Sequence, residues 1–129
     1  MIATLTRRPA RLEEEERMEE FATWVRAAGY RAPTRDDLVP GAALLMLNVE
    51  HCMTAARLGI SFSAISKTEI ILDDEPVAPS KADPSKEVVF YHCVMPPWDG
   101  QCFVPLEDFT TLGYRKGIYA NDTRWVVKA

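Results

Sequence analysis

Between Pro40-Gly41 and Gly59 the chain reads AALLMLNVEHCMTAARL, apolar nearly all round, with Glu50, Thr54 and Arg57 forming one narrow polar strip. Its composition is helical, and a helix with so little polar surface has to lie buried at the centre of a small domain. The segment therefore predicts a central helix over about 42–58, stopped by Gly59, with the rest of the chain arranged around it. A second helix is predicted over about 9–28. Pro9 suits its first turn, Gly29 its end, and Met18, Phe21, Ala22, Val25 and Ala28 share one face with Trp24 at its edge. The run Glu13 to Glu16 lies near the positive end of that helix dipole and reads as a solvated first turn, not as a carboxylate site. Thr34 and Asp37 stand at capping-box spacing in the short segment that follows.

The second half of the chain changes character. DDEPVAPSKADPSK reads as an exposed loop over about 73–86, and EVVFYHCVM and QCFVPLEDF read as strands joined through PPWDG in a four-residue hairpin loop. That register would set Met95 opposite Cys102 and Cys93 opposite Val104. IYA and TRWVVK make a weaker second hairpin. With 129 residues, 47% hydrophobic and 26% charged, the chain suits one globular core. The expected fold is α+β. One domain over 1–129 has a helical part at 1–59 and a mainly β part at 60–129, its two helices packed on a C-terminal antiparallel sheet or small barrel.

Function is bounded mostly by exclusion. The longest uninterrupted apolar run, Ala42 to Leu47, is too short to span a bilayer, and the start of the chain has no apolar signal-like stretch, so a cytoplasmic protein is expected. Three cysteines are an odd count that fits reduced thiols. No phosphate-binding glycine loop, nucleophile elbow or zinc-protease motif occurs, which argues against an enzyme and gives no reason to expect a cofactor. The net charge is −4, and neither side of Leu72 carries a basic excess, so DNA binding would need a local basic patch.

One motif points to such a patch. Ala55, Gly59 and Ile65, supported by Leu58 and Ile60, have the spacing of a bihelical DNA-reading unit, and Thr54 to Lys67 follows the pattern T-A-x-x-L-G-[VI]-x-x-S-A-I-x-K. This stretch resembles the helix-turn-helix of phage Cro and repressor proteins. The resemblance implies a phage or mobile-element regulator with Phe62, Ser63, Ser66 and Lys67 on the groove-facing side of a recognition helix. The other reading of the same residues is a helix ending at a glycine cap, followed by strands GISFSAI and TEIIL.

His51-Cys52 and His92-Cys93 cannot pair internally, because neighbours on a helix or strand point apart. Cys93 and Cys102, diagonal on one strand face, with His51 from the central helix, form a weak zinc-ligand set lacking any C-x2-C knuckle. The hairpin tip carries Trp98 and Asp99, and Tyr114 and Tyr119 follow. A tryptophan at a turn is a favoured interface anchor. These features lead to a small non-enzymatic binding or regulatory protein, inhibitor- or adaptor-like, expected to contact another macromolecule, a protein in the first reading, through Trp98, Asp99, Tyr114 and Tyr119. DNA through the Cro-like stretch is the alternative, and a thiol or zinc site the second.

Overall fold

The apolar run after Pro40-Gly41 is two elements, not one. In the computed structural model, which describes residues 10–94, 100–113 and 123–129, Ala43–Asn48 is a strand and only Val49–Arg57 is helical. The expected helix over 42–58 is thus corrected in its first half. Numbered in chain order, the elements are α1 (Ala10–Ala27), β1 (Tyr30–Arg31), β2 (Ala43–Asn48), α2 (Val49–Arg57), β3 (Thr68–Pro79), β4 (Glu87–Cys93), β5 (Gln101–Pro105), α3 (Leu106–Phe109) and β6 (Thr123–Lys128). Short 3-10 turns lie at Arg35–Asp37 and Phe62–Ala64.

The physical reason for the correction is the place of β2 in the sheet. It pairs with β3 on one side, Leu44 opposite Ile70, and with β6 on the other, Leu45 opposite Val126. Leu44 and Leu47 point to opposite faces and both are buried. A strand covered on both faces has the same unbroken apolar composition as a buried helix, so periodicity alone does not separate them. Asn48 marks the switch, its side-chain oxygen accepting the His51 backbone N–H at 2.9 Å as an N-cap.

The six strands form one antiparallel sheet in the order β1-β6-β2-β3-β4-β5. It is open and not closed into a barrel. Nor is it confined to the C-terminal half, since β1 and β2 come from the N-terminal half and β6 inserts between them. The expected loop over 73–86 is also corrected. Asp73 to Pro79 belongs to β3, interrupted by an irregularity between Leu72 and Val77, which leaves 80–86 as the connection. Its polar composition belongs to a bulged strand with a solvated side.

Two cores lie on opposite faces of the sheet. On one, Met18, Phe21 and Val25 of α1 and Cys52 and Met53 of α2 pack on Leu47 and Val126. On the other, Trp125 stacks on Phe109 with ring centroids 5.1 Å apart, and Tyr91, Leu44, Ile70 and Val104 surround them. Helices α1 and α2 therefore cover the β1-β6-β2 half of their face. Among the described residues, the β3-β4-β5 half of that same face carries no helix.

Candidate functional site

Strand alternation determines what this uncovered half displays. Ile71 pairs with His92, His92 with Gln101, and Phe90 with Phe103, so all five side chains share one face. Of these, Ile71, Phe90, His92 and Gln101, with Asp73, Asp74 and Glu75 from the bulge of β3 and Lys81 from the following loop, line a groove of about 690 Å³. A second hollow of about 280 Å³ continues from it over Val88 and Phe103. Phe103 is 66% exposed and its ring lies 6.0 Å from that of Phe90. Desolvating such a pair is favourable, and aromatic side chains of this kind concentrate at contact surfaces. Among the described residues β5 has a neighbour on one side only, so its other edge offers unpaired backbone groups.

A hydrogen-bond chain crosses the groove. Gln101 Nε2 donates to Asp73 Oδ2 at 2.6 Å, and His92 Nδ1 lies 3.2 Å from Asp73 Oδ1. An ionised carboxylate only accepts, so Nδ1 carries the proton in this contact. The other ring nitrogen, Nε2, has no partner among the described residues. The imidazole is thus held in one orientation as a hydrogen-bonding group of the groove wall.

The residues singled out in the sequence are distributed differently. Trp98, Asp99, Tyr114 and Tyr119 lie outside the described residues, as do Met95 and the segment IYA. In the Cro-like stretch, α2 ends at Arg57 with Leu58 as its C-cap, and Gly59 takes φ +74°, which the motif requires of its turn. No second helix follows: Phe62–Ala64 is a single 3-10 turn and β3 begins at Thr68. The alternative expectation of a strand over GISFSAI is corrected by the same turn, whereas TEIIL is strand. Phe62 is buried against Trp24 and Tyr30, Ser63 and Ser66 are exposed, and the Lys67 ammonium donates to the Phe62 and Ile65 carbonyls, both at 2.7 Å.

The hairpin register differs from expectation by an even number of residues. Tyr91, not Met95, faces Cys102, and Val89, not Cys93, faces Val104. Because the shift is even, Cys93 and Cys102 remain diagonal neighbours on one face, that of the Trp125 core. Burial, with the Cys102 sulfur beside it, pushes the Cys93 thiol up. Burial likewise pushes Cys52 up to about 11, which keeps it a protonated core thiol at neutral pH. His51 is exposed on the first turn of α2, away from the cluster that holds Cys93 and Cys102. Among the described residues no group of three His, Cys, Asp or Glu side chains is arranged to hold a metal ion.

Asp73, Phe90, His92, Gln101 and Phe103, which line the groove and the adjoining hollow, are residues that sequence reasoning did not bring together as a site. Their signal was present in the alternation of EVVFYHC and QCFVP, which sets Phe90 and His92 on one face and Gln101 and Phe103 on one face. No described helix is long and apolar enough to cross a membrane. Comparison of the chain with protein-family models, with curated proteins and with solved structures gave no match.

Proposed function

We propose that this is a binding module that takes an extended segment of a partner protein along the edge of β5 and into the adjoining groove. The observation that carries this reading is Phe103, two-thirds exposed and paired with Phe90 on an edge strand beside the groove. An added strand gains main-chain hydrogen bonds from the edge, and its alternate side chains reach the hollows beside it. Among the described lining residues, Asp73, Asp74 and Glu75 outnumber the one cation, Lys81, which favours a partner segment with basic residues next to its apolar anchor. The arrangement suits an inhibitor or adaptor that works by occupancy. Trp98 and Asp99 fall, in sequence, between β4 and β5 and are proposed to extend this surface.

The test is selection of displayed random peptides on the full chain, with the hits resynthesised and their affinities measured by fluorescence anisotropy. The expected hits alternate apolar and basic residues. Phe103→Asp should weaken them about tenfold or more, which corresponds to ~1.4 kcal/mol, with an unchanged circular dichroism spectrum. Equal affinity of wild type and Phe103→Asp would sink the groove as the site. Trp98→Ala tests that extension in the same assay.

DNA reading through Ser63 and Lys67 rests on the motif resemblance alone. It predicts retention of duplex DNA that weakens as salt rises; lack of retention at low salt removes it.

A further inference from the structure

The Cro-like stretch, which the groove does not use, folds into a pocket of its own. Tyr30, Ser61, Phe62, Ser63, Lys67 and Lys128 line a hollow of about 510 Å³. Its lining, among the described residues, contains two ammonium groups and no carboxylate side chain, on a chain whose net charge is −4. We propose that this pocket binds a small phosphate monoester.

Three features support that ligand class. Two of the three Lys67 ammonium protons are held by the Phe62 and Ile65 carbonyls, with the charge 4.8 Å from the Phe62 ring centroid. The side chain is thereby fixed at the pocket wall with its third N–H unspent, so little rotamer entropy remains to be lost on binding. The Ser61 and Ser63 hydroxyls lie 3.2 Å apart, so one donates to the other and a hydroxyl proton is left for a ligand oxygen. A phosphate monoester carries nearly two negative charges and three acceptor oxygens, which matches the Lys67 and Lys128 charges and these donors. Tyr30, packed on Phe62 with ring centroids 4.6 Å apart, provides an aromatic wall for the organic group. The surface is concave, which suits a small ligand that enters it and not the convex backbone of a duplex.

The experiment is a titration of the isotopically labelled full chain with phenyl phosphate, and separately with inorganic phosphate, followed by amide NMR shifts at ionic strength held constant with sodium chloride. The expected result is saturable shifts confined to residues 61–67 and the neighbourhood of Lys128, with phenyl phosphate the tighter probe. Lys67 also ties its own turn, so the diagnostic variants are Lys128→Gln and Ser63→Ala; among the described residues the Ser63 hydroxyl bonds only Ser61 of the same turn, and no side-chain bond of Lys128 ties it to another element. Each should weaken binding about five- to tenfold, in line with loss of one charge-assisted contact, without a change in melting temperature. Shifts that fail to saturate, or that both variants leave intact, overturn the proposal. So does tighter binding of a short DNA duplex through the same residues, which would return the site to nucleic acid.

Discussion

Asp37 shows how one side chain ties three pieces of backbone. Its carboxylate accepts from Arg31 at 2.7 and 3.1 Å, from the Thr34 backbone N–H at 2.7 Å and from the Thr34 hydroxyl at 3.1 Å. The Arg31 hydrogen bonds, outweighing burial and aided by Thr34, hold the carboxyl at about 2 instead of the ordinary 3.8. A carboxyl whose folded value is depressed adds stability above its unfolded value, and that stability is lost as pH falls through the folded one. The window here is pH 4 down to 2. Asp37→Asn should cost about 1 kcal/mol at pH 7, a figure reduced for solvent screening of a partly exposed pair. In urea unfolding the difference between wild type and variant should shrink through that window and vanish near pH 2. A difference that stays constant with pH would contradict this role.

At the scale of elements, the boundary between β2 and α2 has the greatest consequence. Asn48 ends a strand buried on both faces and caps the helix that follows, so the chain turns from the sheet into the α1-α2 layer within one residue. Asn48→Ala removes an acceptor from the first turn and should cost about 1 kcal/mol in urea unfolding. A change within a few tenths would mean that packing of Val49 and Met53 alone sets the helix start. The cap was legible, since an asparagine before a helical stretch is a start signal. It was masked because apolar residues on both sides of Asn48 keep up the appearance of one helix. The capping-box spacing of Thr34 and Asp37 was read correctly, as were the buried face of α1 and the glycine stop of α2, because each depends on residues within a few positions.

At the scale of the whole molecule, the described residues pack one face of the sheet around Trp125 and cover the other only over its β1-β6-β2 half. Trp125, 1% exposed, stacked on Phe109 and edge-on to Tyr91, anchors the packed face from a strand that joins the two halves of the chain. Trp125→Ala should cost about 3–5 kcal/mol, a large part of the ordinary margin for a domain of this size. It should broaden or abolish cooperative thermal unfolding monitored by circular dichroism. Phe103→Asp, on the uncovered half, should leave the melting temperature within a few degrees of wild type. Similar losses for the two variants would mean that Phe103 belongs to the core.

The sequence by itself determined α1, the glycine stops at Gly29 and Gly59, and the alternation that sorts β4 and β5 into an inward and an outward face. Helix periodicity, left-handed turns and strand pleating are all local properties. Only the tertiary structure decided that AALLML is a strand, since that follows from having β3 on one side and β6 on the other. It alone brought Asp73, His92 and Gln101 onto one wall, and Ser61, Ser63, Lys67 and Lys128 around one pocket, from positions up to 67 residues apart in the chain. And it alone left the outward face of β3-β4-β5 open, because α1 and α2 are spent covering the β1-β6-β2 half and no described helix is left to cover the rest.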